Sequence, residues 1–308
     1  MIGGLFRKGP VVRREPRGDV GVKRIMRILV ALLLLASASV AASPSTQPAV
    51  DEKCRALLVR WQDRFADEHL SYLVSPPFVL AGDGGIIRLR KLEALTVRDA
   101  ADALQDEFFD AKPADPILIL LFESDGPYRR LSKKWFGNGA ASPYGYFRRD
   151  NIMVMNVATG TGTLVHELTH ALIKPDFPKV PDWFNEGLGS LFEQCTLASG
   201  KIRGLPNWRL PALQRAIKQD KLRPIVEMIK DDEFYGEAHV GLNYAQARYL
   251  LYYFQEHNQL ADFYKKLRAN QKTDPAGLAT FKEMIAPQLP EEFEKDWRKW
   301  VLTLRFGN

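Results

Sequence analysis

Cysteine and histidine are scarce in this chain. Two cysteines, Cys54 and Cys195, and five histidines among 308 residues exclude a disulfide-stapled scaffold and a cysteine-rich metal finger. In an oxidising compartment the two thiols could pair with each other or stay apart as buried groups; spacing does not decide between them. Neither has a second ligand nearby, which argues against a metal role. Internal repeats are absent, and low complexity is confined to the Pro/Ser/Thr stretch at residues 43–50. The apolar run at residues 28–35 is too short for a comfortable membrane span. Disorder is equally excluded, because 46% hydrophobic and 11% aromatic content can bury a sizeable core in one large or two modest domains.

Charge of one sign is missing from most of the chain, although the formal total is +6. The first 42 residues carry eight Lys or Arg against two acids, and residues 43–308 carry 35 of each. The basic excess therefore belongs to the leader, and nucleic acid loses its main support as a partner. That leader has the form of an export signal: a basic region, the apolar run at 28–35, and small residues up to Ser43 that offer cleavage after Ala41 or Ala42. The alternative is an uncleaved anchor, the only route to a stable membrane span. Met26 followed by Arg27 would begin a compact signal by itself. The expected organisation is a signal peptide at 1–42, a linker at 43–50 and a folded domain at 51–308, placing the mature protein outside the cytoplasm.

Within the domain, residues 51–160 have an α+β pattern and residues 161–308 a helical one. Helical spacing of Leu57, Leu58, Trp61 and Phe65 marks residues 52–69, and a second helical stretch covers 92–110. Residues 71–81 are expected to be extended. Residues 116–122 form a short apolar run followed by a turn, as in a buried strand. Alternation over 144–157 predicts a hairpin or edge strand, and from Gly162 onward nearly everything is expected to be helix.

The chemistry lies in the first of those later helices. Residues 163–172 read TLVHELTHAL, so His166 and His170 project one turn apart from a single helix face, where two imidazoles can hold one zinc ion. Glu167 sits beside the first histidine, placed to take a proton from an attacking water. Two histidines of an apolar or solvated helix are the bland alternative. A catalytic zinc needs a third protein ligand. One known pattern places Gly three and His six residues beyond the second histidine, but Ile173 and Asp176 stand there. Asp176, expected in a stiff loop between Pro175 and Pro178, is a weak substitute. Residues 181–192 (PDWFNEGLGSLF) predict a new helix capped by Asp182, with Glu186 one turn in. Two helices on a short loop pack antiparallel, which brings Glu186 towards the metal face. Gly187 and Gly189 are costly inside a helix, and close helix approach is a reason to tolerate them.

The H-E-x-x-H helix, the Glu of W-F-N-E-G sixteen positions after the second histidine, and the alternating strand upstream together resemble the gluzincin metallopeptidases of the peptidase MA clan, most of all its small peptidase MA-like families. The resemblance extends more weakly over residues 116–304, through Y-A-Q-A-R-Y-L-L at 244–251 and a closing helix with Trp297 and Trp300. It implies one zinc per chain on His166, His170 and Glu186, with Glu167 as base. It also implies a small mixed sheet with helices, a helical lower subdomain and a zinc cleft between them. The strand before the metal helix, residues 151–156, would form the upper rim and pair with an extended substrate. In related enzymes a Tyr or His beyond the third ligand stabilises the oxyanion, making Tyr244 and His239 the candidates. Asn185, Ser190 and Glu193 could orient the ligands. The expected activity is hydrolysis of peptide or protein substrates, endopeptidase before exopeptidase. The rival is a non-catalytic zincin-fold binding or scaffold protein of the cell envelope, against which the intact Glu167 argues, because a structural site has no use for a base.

Overall fold

Three parallel strands, flanked on each side by an antiparallel one, form the centre of the protein. A computed structural model describes residues 46–137, 142–230, 233–237 and 239–307; residues 45–308 make one compact unit. The expected leader and its cleavage point lie outside the described residues. The strands are β1 (Ser71–Ser75), β2 (Phe78–Gly82), β3 (Ile117–Phe122), β4 (Gly145–Arg148) and β5 (Ile152–Asn156), in the order β1-β2-β3-β5-β4. Strands β2, β3 and β5 run parallel, with β1 and β4 antiparallel at the edges. The apolar run in β3 is buried at every position, as a strand covered on both faces requires. Alternation divides its side chains: Ile119 and Leu121 enter the main core, while Leu118 and Leu120 meet Trp61, Phe65, Tyr128 and Trp135 on the opposite face.

Residues 71–81 are extended as expected, as the two arms of a hairpin turning at Pro76 and Pro77. Two other expectations are corrected. The segment 151–156 is not an edge, because β5 is paired on both sides; the open edge belongs to β4. Helix α1 (Thr46–Arg64) begins inside the supposed linker and already buries Val50. Its one proline, Pro48, falls in the first turn, where a missing N–H is tolerated. Between α2 (Gly85–Leu92) and α3 (Asp99–Glu107) the chain makes a π-helical segment, Glu93–Arg98, and α4 (Asp125–Phe136) follows β3.

The helical half follows the sheet. Helix α5 (Gly162–Asp176) packs between the sheet and α6 (Asp182–Phe192), and α6 lies along α9 (Val240–Glu256). Helices α7 (Leu210–Lys218), α8 (Ile225–Lys230), α10 (Leu260–Asn270), α11 (Leu278–Ile285) and α12 (Pro290–Thr303) complete the unit. From Gly162 onward the described elements are helices, as expected, except that β6 (Cys195–Ala198) and β7 (Lys201–Gly204) form a small hairpin. Four-residue strands carry too little periodicity to be recognised. Cys54 and Cys195 are both free thiols, one packed under the sheet's outer face and the other against the main core. Among the described residues no helix is long and apolar enough to cross a membrane.

Candidate metal centre

The histidines of α5 meet at their outer nitrogens. His166 Nε2 and His170 Nε2 lie 2.9 Å apart, and Glu186 Oε2 of α6 stands 3.3 Å from the first and 3.5 Å from the second. Donor atoms this close together, two imidazole nitrogens and a carboxylate oxygen, are the kind and spacing that would hold one zinc ion between them. Glu186 Oε2 is buried without a hydrogen-bond partner of its own, which is costly unless a cation or proton is shared there. The donor set thus fits a divalent metal, and these three residues form a group that could hold one.

Electrostatics point the same way. Burial works against a charged His166, yet the carboxylates of Glu186 and Glu193 win and raise its pKa to about 10. Burial likewise opposes ionisation of Glu186, but the two imidazoles hold its carboxyl far below the usual range. The pocket is built to stabilise positive charge.

Each imidazole is held from behind. His170 Nδ1 is 3.0 Å from Asn185 Oδ1; with the amide oxygen facing the ring, Nδ1 carries the proton and Nε2 is free to ligate. His166 Nδ1 lies 3.2 Å from Glu193 Oε1, a close contact but poorly aligned as a hydrogen bond. Arg209 fixes Glu193 by two bonds of 3.1 and 2.9 Å. Burial raises the Glu193 pKa, but His166 and Arg209 lower it to about 2. Behind α6, the buried Arg248 donates to the carbonyls of Ser190 and Leu191 in the helix's last turn, a cation where the helix dipole favours one.

The glycines explain how α6 comes so near. A methyl group at Gly189 would stand 3.1 Å from ring atoms of both His166 and His170, and one at Gly187 would stand 3.1 Å from the Ala247 carbonyl of α9. Gly162, at the start of α5, would strike the Glu193 carbonyl in the same way.

Of the other expected residues, Glu167 is half-buried beside His166 in α5. Tyr244 reaches the centre from α9. Burial first, and then the Glu186 carboxylate, push its phenol well above the usual range, with Glu167 adding to the shift. His239 is exposed at the start of α9. Asp176 is not a ligand and not in a loop, since α5 continues through Pro175 to end on it. Its carboxylate is instead bound by Tyr264, Arg268 and the Ala111 amide. Asp182 is not the cap of α6 but its first residue, Pro181 standing at the cap. Ser190 orients no ligand, its hydroxyl being buried without a partner.

Tyr235 also belongs to the centre, although no motif includes it. Its hydroxyl donates to Glu186 Oε1 at 2.9 Å, from a turn between α8 and α9. Nothing periodic surrounds it, so no sequence signal marks it. Arg209 and Arg248 were equally hidden, one in a loop and the other on an apolar helix.

The outer edge of β4 overlooks α5. The Asn156 amide donates to the Tyr144 carbonyl, and alternation from that bond turns the peptide groups of Gly145 and Phe147 outward.

No curated protein matches this chain. Over residues 156–276, from the last position of β5 to beyond α10 and across every metal-centre residue named above, the chain is similar to a family described as a protein of unknown function, DUF1570.

Proposed function

We propose that this protein is an exported zinc-dependent peptidase. The observation that carries the reading is the convergence of His166, His170 and Glu186 within 3.5 Å beside Glu167, a carboxylate that the donor set leaves free. Two histidines and one carboxylate leave a fourth position open, the ligand count of a catalytic rather than a structural zinc site. Zinc held there would polarise the attacking water and the scissile carbonyl.

The chain's own groups supply the rest. Glu167 accepts the water's proton and returns it to the leaving amine. Tyr244, with its proton held by burial and the neighbouring carboxylate, donates to the carbonyl oxygen as charge develops. Asn185 and Glu193 fix the rings, so little reorganisation accompanies the reaction. The open peptide groups of β4 bind an extended substrate backbone.

The test combines metal analysis with cleavage of a diverse peptide library, with and without chelator. One zinc per chain and chelator-sensitive cleavage are expected. Glu167→Gln should keep the metal while losing roughly 10²–10⁴-fold in rate. A variant that cleaves as fast as the parent would overturn the mechanism, and a metal-binding parent that cleaves nothing would leave a metal-stabilised scaffold.

A further inference from the structure

On the face of the sheet turned away from α5, a cavity of about 200 Å³ opens between α1, the last turn of α4 and the turn joining β4 to β5. Its floor is apolar: Trp61, Leu118, Trp135 and Ile152 are all buried and belong to the packing of that outer face. Its polar lining is one-sided. Arg60, Arg64 and Arg148 face a single acid, Asp150, among the described lining residues. Asp150 accepts two bonds from Arg148 at 3.1 and 3.2 Å, so the uncompensated charge is that of Arg60 and Arg64. These stand one turn apart on one face of α1, a pairing of like charges that costs stability unless an anion lies between them.

Two of the three guanidiniums are ordered in advance. Arg64 lies 4.8 Å from the Trp61 ring centroid and donates to the Trp135 carbonyl at 3.1 Å. Arg148 lies 4.6 Å from the Phe136 centroid. Stacking covers the face of a guanidinium and leaves N–H groups along its edge to fork onto a carboxylate. Groups held this way lose little entropy when a ligand arrives.

We infer that this cavity is a binding site for a small monocarboxylate with an aromatic tail, its carboxylate held by Arg60 and Arg64 and its ring laid on the tryptophan floor. The inference does not depend on the peptidase reading. Size sets the tail: a void of roughly 150 Å³ with apolar walls holds one benzene, so a cavity of about 200 Å³ admits one ring and its carboxylate. Charge sets the head, since a phosphate dianion would meet Asp150 in the same lining. Both parts are needed, because the ring buries apolar area on the floor and the carboxylate makes the charged hydrogen bonds.

The experiment is calorimetric titration of the full chain with phenylacetate, acetate, phenylacetamide and phenyl phosphate. Phenylacetate should bind at least about tenfold more tightly than acetate, which lacks the ring, and than phenylacetamide, which lacks the charge. Acetyl-glycyl-phenylalanine presents the same group at the end of a peptide; the tighter of it and phenylacetate identifies the source of the ligand. Arg60→Gln, an exposed change that spares the core, should weaken binding several-fold, and Arg60→Gln with Arg64→Gln should abolish it while the protein melts as the parent does. Affinity should be the same with and without chelator, because α5 and its histidines pack on the other face of the sheet. Absence of binding by both phenylacetate and the peptide, acetate, phenylacetamide or phenyl phosphate binding as tightly as phenylacetate, undiminished binding in the double variant, or binding that chelator removes would each overturn the site.

Discussion

Gly189→Ala separates the stability of the fold from the quality of the metal centre. In an ordinary helix interior this change is favourable, because alanine recovers roughly 0.5–1 kcal/mol of backbone entropy relative to glycine. At this position the added methyl would stand 3.1 Å from Cε1 and Nε2 of His166 and from Cε1 of His170, so both rings must give way by a few tenths of an ångström. They have little freedom to do so, since Asn185 and Glu193 hold them from behind. Turning a side chain about 30° from its rotamer costs of order 0.5–1.5 kcal/mol, and two rings give about 1–3 kcal/mol. At about 1.4 kcal/mol per decade, metal affinity should fall roughly 5–150-fold. The metal-free variant should meanwhile melt no lower than the metal-free parent by more than a few degrees. Chelator competition gives the first quantity and calorimetry of the apo proteins the second. Parental metal affinity in Gly189→Ala would refute the claim that this glycine exists to admit the two imidazoles.

Asp176 yields the opposite pattern. Asp176→Asn should leave metal content unchanged, as Glu186→Ala should not. It should lower stability by about 3–5 kcal/mol, nearer the lower figure because Arg268 keeps Asp110 as a partner. Burial opposes the Asp176 charge, but Tyr264, the Ala111 amide and Arg268 hold its pKa below the ordinary value. Its stabilisation is therefore complete above the unfolded pKa near 4 and is lost as pH falls through the lower folded value. Denaturant titrations of parent and Asp176→Asn should accordingly converge below about pH 4, and a constant difference down to pH 2 would contradict this account. Among the hydroxyl donors, Tyr244→Phe should lower kcat by on the order of 10²–10³ with KM little changed. His239→Ala should be silent in the same assay. Tyr235→Phe removes a bond to Glu186 and should weaken metal binding before it slows turnover.

What could be read from the chain depended on whether a residue's job is local. His166, Glu167 and His170 are fixed by a single helix, so their spacing alone places them on one face. Glu186 needed one further step, the antiparallel packing of two helices on a short connection, and the cost of Gly187 and Gly189 in a helix pointed to a close approach. The buried strand β3 was visible for the same reason, its continuous apolar run having few alternative uses. Where a role depends on partners distant in sequence, the signal disappears. Alternation marked residues 144–157 as strand but could not say which arm pairs with β3, and the edge went to β4 instead of β5. Asp176 has the chemistry of a spare ligand, but Arg268, 92 residues away, occupies it.

The same distinction separates ligands from the groups that hold them. Arg248 serves α6 through backbone carbonyls, an interaction that any residue's carbonyl can provide and that therefore leaves no pattern in the partner's sequence. Arg209 acts on His166 only through Glu193, so its part emerges only once three segments are brought together. His239, a residue type suited to the chemistry, stands exposed at the start of α9, whereas Tyr244 five residues on lies close enough to Glu186 for that carboxylate to raise its pKa. Chemistry encoded by helical periodicity can be found in one dimension, whereas the charge balance that fixes Glu193 near a pKa of 2 exists only where the chain has closed on itself.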